Sequence, residues 1–279
     1  MTENERRLAD IIRDHDNATR MKMGAPSERL LFRPTTANRK TGNIPTASIH
    51  HDHIARSCKG CPMAPDDDGK GGRCYARQGT ASFSTKRTAR AAERNPRAYS
   101  VDHALTGRTI GARFVRFTSI GDVGGLEREE VEPALVRCLD EGLPPIVYTS
   151  QWRRKGRDWL KGWAMASTYT LSAYLKATRA GWRATLVVPA EVIADHVEHG
   201  TPLSEVVEVN AVACPAQVGE LTGRPVQCND CGLCSVKHQA SGPGVWFAEH
   251  GPRVRPKWRK RVEAAKERRR AAMRGDSCA

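Results

Sequence analysis

Apolar and polar positions follow no single period over the first hundred residues. Leu8, Ile11 and Ile12 fall at helical spacing and predict a short amphipathic helix within residues 1–20. Residues 21–36 read as irregular linker, and Thr46 to Ile49 as a short strand. The basic stretch FSTKRTARAAERNPRA, residues 83–98, predicts a helix up to Pro96. From Arg113 the pattern becomes regular. Arg113–Ile120 (RFVRFTSI) is β-branched and aromatic and predicts a strand, followed by a Gly-Asp-Val-Gly-Gly loop. Leu126–Glu141 places Val131, Leu135, Cys138 and Leu139 on one helical face, with acids in the first turn. Then come a strand over Pro145–Ser150, a polar helix over Trp152–Lys161 and a strand over Gly162–Ser167. A helix over Tyr169–Ala180, closed by Gly181, leads to a strand over Trp182–Val188 stopped by Pro189. A helix over Glu191–Glu198 and a strand over Val206–Cys214 complete the series.

Strand–helix alternation over about 100 residues implies an α/β fold with parallel strands and helical crossovers. No Gly-x-Gly-x-x-Gly fingerprint follows the first strand, which disfavours a nucleotide-binding open sheet. The expectation is therefore a β/α barrel, whole or partial, or a parallel sheet, carrying a C-terminal cysteine-rich metal-binding segment. In either architecture reactive side chains follow the C-terminal ends of strands. That rule selects Asp122, Tyr148, Gln151, Ser167 and Glu191. The chain divides into an N-terminal helix and linker (1–37), an α/β domain (38–251) containing the metal segment (214–250), and a basic tail (252–279).

Cysteine spacing adds chemistry to this frame. Cys228, Cys231 and Cys234 form C-x-x-C-x-x-C, with Cys214 upstream and His238 and His250 downstream. Thiolates with two residues between them converge on one centre, and Gly232 in the second turn sits where a positive φ costs little. Three thiolates with Cys214 or a histidine complete a zinc site, and four thiolates equally suit an iron–sulfur cluster. A second set, Cys58, Cys61 and Cys74, spans an Asp- and Gly-rich loop, with His50, His51 and His53 as candidate fourth ligands. The Asp66–Asp68 run lacks the spacing of a calcium loop and reads as solvated turn.

The 279 residues include nine cysteines and carry a formal net charge of +14, from 45 basic and 31 acidic residues. Such an excess favours a polyanionic partner, most simply nucleic acid. The tail concentrates it, with eleven Lys and Arg against two Glu between Pro252 and Gly275, and predicts salt-sensitive phosphate contacts. No apolar run approaches the roughly 20 residues of a bilayer span, and the N-terminus has no apolar signal core. A cytoplasmic protein without membrane contact is expected, its cysteines serving as ligands and free thiols. No P-loop, Gly-x-Ser-x-Gly elbow, His-Glu-x-x-His or deaminase signature is present. The C-x-x-x-C-x-x-C triad of radical adenosylmethionine enzymes is absent too, although a barrel with a cluster is compatible with the pattern.

Asp122 follows a strand in a glycine-rich loop that a substrate can approach closely, so it is the candidate nucleophile or general base. Helix or turn capping is the other use of an aspartate there. Tyr148, Gln151 and Trp152 offer hydrogen bonds and stacking for a flat base.

These residues carry a resemblance. Asn38-Arg-Lys-Thr-Gly-Asn-Ile-Pro45, Cys-x-x-Cys-Pro…Cys-Tyr-Ala76, Ile-Gly-Asp122, Tyr148-Thr, Cys214-Pro-Ala…Cys-x-x-Cys-Gly-Leu-Cys234 and Glu249-His-Gly251 resemble, in order, a family found in actinobacterial phages and mobile elements. A second similarity is to phage relatives of tRNA-guanine transglycosylase, which exchange guanine in DNA for a 7-deazaguanine base. That family is a β/α barrel with a structural zinc site of Cys-x-Cys-x-x-Cys and a distant His, a spacing this chain does not share. The resemblance implies a DNA-modifying transglycosylase that exchanges guanine for a base such as preQ0 in phage DNA, in the host cytoplasm. Asp122 would be the nucleophile, and Asn38, Lys40, Thr41, Tyr148, Gln151 and Ser167 would hold substrate. The alternatives are a metal-stabilised, replication-associated DNA-binding protein and an iron–sulfur redox or radical enzyme.

Overall fold

The computed structural model describes residues 29–36, 38, 40–64, 74, 79–203, 210–249 and 255–274. The helix expected within residues 1–20, the Asp66–Asp68 run and His250 lie outside them. The fold is mixed α/β with parallel sheets, as the alternation implies.

β1 (Leu30–Arg33) runs antiparallel to β2 (Thr46–Ile49), with Leu30 opposite Ile49 and Arg33 opposite Thr46. This corrects the irregular reading of residues 21–36. Leu30, Leu31 and Phe32 are all buried, but three apolar residues are too few to show a period. Their strand character comes from the partner. β2, β3 (Val115–Arg116) and β4 (Pro145–Ile146) then pair in parallel. β3 is shorter than the expected eight residues because Thr118 (φ 48°) and Gly121 (φ 89°) turn the chain. Hydrogen bonds from Phe117 N–H to Ile146 and from Ser119 N–H to Ala47 still hold this segment in place.

A second sheet has the order β5-β6-β7-β9-β8, all parallel. Its strands are β5 (Tyr148–Thr149), β6 (Met165–Thr168), β7 (Ala184–Val188), β8 (Ala211–Ala213) and β9 (Gly244–Ala248). Only Val147 separates β4 from β5, and its carbonyl accepts from Met165 N–H. One extended segment, Pro145 to Thr149, thus belongs to both sheets. The combined sheet curls. Tyr148 and Phe247 lie three strands apart, roughly 14 Å if the sheet were flat, yet their ring centroids are 6.1 Å apart. Arg116 on β3 also lies over the Tyr148 ring, at 5.4 Å. β9 was not expected within the metal segment. Its GVWFA run is short and flanked by glycine and proline, and it is inserted between β7 and β8.

The helices are α1 (Ile54–Ser57), α2 (Gly79–Arg94), α3 (Val101–Thr106), α4 (Arg128–Asp140), α5 (Leu171–Arg179), α6 (Ala190–His199), α7 (Pro215–Thr222), α8 (Cys228–Cys231) and α9 (Arg255–Arg274). α4 starts at a capping box of Glu127 and Glu130 and buries Val131, Leu135 and Cys138, with Leu139 partly covered. Gly181, at φ 79°, follows α5 as its position predicted. The helix expected over Trp152–Lys161 is instead a set of turns and a 3-10 turn over Asp158–Gly162. Gly156 adopts φ 79° there, and buried Arg157 is drawn to Glu127. α9 lies against α6 and α7 and buries Trp258 and Ala265. No helix of the described residues is long and apolar enough to cross a membrane.

Candidate metal–thiolate site

The late cysteines come from two pieces of chain, Cys214 and the Cys228–Cys234 stretch. Cys214 follows β8, and its N–H donates to Trp246 on β9. Cys228 and Cys231 bound the single turn of α8. Cys234 follows Gly232, whose φ of 60° any side chain would strain and whose α-carbon faces the Phe114 ring too closely for a Cβ. Ser235, next in the chain, bridges to Ile146 and fixes this loop to β4.

The four thiols feel one another. Burial pushes Cys214 up to about 11 and Cys234 up to about 12, and Cys228 upward as well. Mutual repulsion adds to burial: Cys228 acts on Cys214, Cys214 and Cys228 on Cys234, and Cys231 on Cys228. The Tyr148 hydroxyl is hydrogen-bonded to Cys234. Buried thiols of this kind stay protonated unless a cation holds them as thiolates.

The surroundings are set for negative charge. Arg183, 6% exposed, donates from Nε to the Pro243 carbonyl at 2.8 Å, while its Nη1 and Nη2 have no hydrogen-bond partner. Desolvation lowers its basicity, and Cys234 and Cys231 are among the groups that oppose the fall. Arg116 favours the charged form of Cys228. A buried guanidinium beside neutral thiols is uncompensated, whereas thiolates around a cation would give it a counter-charge. Ser235 Oγ, wholly buried, also has no partner. His238, an alternative ligand in the sequence reading, is acted on by Arg183 and Lys237, with no cysteine among its influences.

The second set stands at the C-terminal end of the parallel strands, on the loop after β2. Burial pushes Cys58 up to about 12, with Asp122, Cys61 and Cys74 adding repulsion. Cys61 Sγ lies 3.5 Å from Ser150 Oγ, which is itself 3.5 Å from the Tyr169 hydroxyl. His50 does not turn to these cysteines. It lies 3.8 Å from Asp52 and 3.5 Å from Glu93, both largely exposed. That is the one trio of potential ligand atoms within 4.8 Å of one another among the described residues. Neither cysteine set forms such a trio.

Asp122 sits at a strand end, as expected, but it is 5% exposed. Its Oδ1 accepts from Thr149 Oγ1 (2.7 Å) and Gly124 N–H (2.8 Å), and Oδ2 accepts from Ser150 N–H (2.6 Å). Burial raises its pKa to about 6 against the pull of these donors. The glycines around it admit the chain itself rather than a substrate. A Cβ on Gly121 would strike Ile49, one on Gly124 would strike Thr149 and Gln151, and one on Gly125 would strike the Ser57 backbone. Asp122 thus caps a 3-10 turn and fastens it to the loop after β5.

The proposed substrate-binding residues are likewise occupied. Asn38 Oδ1 accepts from Lys40 N–H, and Thr41 Oγ1 donates to the Asn38 carbonyl. The carbonyls of Lys40 and Thr41 accept from Cys228 and Asn229 N–H, so this motif braces α8. Tyr148 faces the curled interior, and Ser167 is registered opposite Thr185 within the sheet. Gln151 donates to the carbonyls of Lys59 (2.5 Å) and Ser57 (3.5 Å), joining the loop after β5 to the loop after β2. Sequence reasoning missed Arg183, Arg116, Ser150 and Tyr169. An arginine directly ahead of the buried β7 was the available signal for the first.

No family model, curated protein or solved structure matches this chain.

Proposed function

We propose that this chain is an iron–sulfur enzyme with two cysteine-held centres in one curled α/β sheet. The observation that carries the reading is the arrangement of the four late cysteines. They are partly buried and beside a guanidinium whose two Nη groups have no partner, yet no three of their sulfurs lie within 4.8 Å of one another. Sulfurs sharing one zinc ion at its usual bond length stand roughly 3.8 Å apart. Thiolates bound to different irons of a cluster need no such closeness. Cys214, Cys228, Cys231 and Cys234 would hold the inner centre, and Cys58, Cys61 and Cys74 the outer one.

Bound clusters would supply one-electron chemistry. The chain's own contribution is electrostatic and positional. Arg183 and Arg116 offset the inner thiolates. Ser150 and Tyr169 line the outer set. Asp122, through Thr149 and Ser150, holds the outer loop against the sheet. The outer set has three cysteines and stands at the strand ends, where α/β folds place reactive groups. With both oxygens already engaged, Asp122 does not favour the guanine-exchange expectation.

The test is purification without oxygen, followed by iron, sulfide and zinc analysis and a visible spectrum. The expected protein is brown, absorbs near about 400 nm, and loses separate parts of its iron in Cys61→Ala and Cys234→Ala. A colourless protein with stoichiometric zinc overturns the proposal.

A further inference from the structure

Five cations stand beside the outer cysteine set, on α1 with the turn after it and on the loop after β5. Arg56 and Lys59 flank Cys58, and Arg153, Arg154 and Lys155 follow β5; all five are exposed. The two segments form one surface, because Gln151 donates to the Lys59 and Ser57 carbonyls and Cys61 meets Ser150. The nearby carboxylates are already taken. Glu127 pairs with Arg157 at 3.2 Å, and Asp158 with Lys161 at 2.8 Å. Arg154 and Arg56 both pull on Glu127 from a distance, so the two segments share one electrostatic field. Half-buried Trp152 carries the Arg153 guanidinium 4.4 Å from its ring centroid.

We infer that a single-stranded nucleic acid docks on this rim, its phosphates on Arg56, Lys59, Arg154 and Lys155 and a base against the Trp152–Arg153 stack. The inference deepens the reading given above by naming the substrate class of the outer site, and it rests on that reading for its chemistry alone. Several cations in a row fit a repeating anion better than a single acidic group. A flat Trp–Arg pair accepts any base by stacking, which a duplex does not offer. Groups behind the rim, such as Cys61 and Tyr169, are reached by a base only when it is unstacked.

The alternative location for phosphates is α9, but much of its charge is spent within the protein. Arg268 pairs with Glu198, Arg270 and Arg274 with Glu267, and Lys266 with Glu263, while Arg269 donates to the Leu221 carbonyl.

The experiment measures fluorescence anisotropy of a labelled DNA strand of about 20 nucleotides against anaerobically purified full-length protein across a salt series. Iron is assayed in the same preparation. The triple variant Arg153→Ala, Arg154→Ala, Lys155→Ala removes two of the four phosphate contacts and the stacked guanidinium, and is expected to bind roughly tenfold more weakly and to lose about 1.4 from the log–log salt slope. The variant Arg259→Ala, Lys260→Ala, Arg261→Ala on α9 is expected to change affinity less than about twofold. Circular dichroism checks folding, and Arg153→Gln with Lys155→Gln replaces the triple variant if that fails to fold. Undiminished binding by the loop variant overturns the inference, as does loss confined to the α9 variant. Equal competition by duplex DNA or polyglutamate overturns it too. Iron-free protein with loop-dependent binding would sink the cluster reading and leave the docking surface standing. Iron-loaded protein with loop-independent binding would do the reverse.

Discussion

A buried arginine constrains what can sit next to it. Arg183 keeps one hydrogen bond, to Pro243, and has two nitrogens without a partner, with Cys231 and Cys234 among the groups that act on its charge. If those cysteines hold an anionic cluster, the positive charge favours its reduced form. Arg183→Met, which keeps much of the volume and removes the charge, should therefore lower the midpoint potential. An optically monitored redox titration reads this directly. A purely structural role for Arg183 predicts lost cluster content with no shift in the remainder. Asp122 shows how far single residues could be read from sequence. Its place after a strand was legible, because strand and loop composition are local. Its saturation by Thr149, Ser150 and Gly124 was not, because two of those donors lie on a segment some 27 residues away in sequence.

At the scale of elements, the close packing of α1 against the turn after Asp122 places Cys58. Gly125 lies against the backbone of Ser57, the residue before Cys58, and a backbone contact cannot rotate away as a side chain can. Gly125→Ala should cost roughly 2 kcal/mol in urea denaturation and diminish the outer centre's share of iron. An unchanged midpoint would mean that α1 moves freely. Elements with a clear period, such as α4 with Val131, Leu135 and Cys138, were legible because local pattern and burial agree. β1 and β9 were hidden, being short apolar runs whose strand character depends on distant partners. The helix expected over Trp152–Lys161 failed at Gly156 and at the pull of Glu127 on Arg157, which polar composition does not reveal.

For the whole molecule, the basic C-terminal region does more than carry charge. α9 lays Trp258 (7% exposed) against the core, with its Nε1 donating to Glu220 at 2.6 Å, and Lys40 lies 6.0 Å above the same ring. Glu220 also pairs with Lys40 at 3.5 Å, so α9 supports the motif that braces α8. Trp258→Ala should cost roughly 3 kcal/mol, seen as a lowered Tm. The loss should spread to the inner cysteines, through weaker iron retention. The α/β class was legible in the alternation of the chain. Its curvature was not, since it appears only where Tyr148 and Phe247 meet across the sheet.

β5 has a last implication. Tyr148 and Ser150 are two positions apart, about 7 Å along an extended chain, and one is bonded to Cys234 while the other meets Cys61. A single short rod thus has a sulfur group at each tip. Chemical injury to the outer tip, such as oxidation of Cys61, would tug on the phenol at the inner one. The protected end would register what the weathered end has suffered.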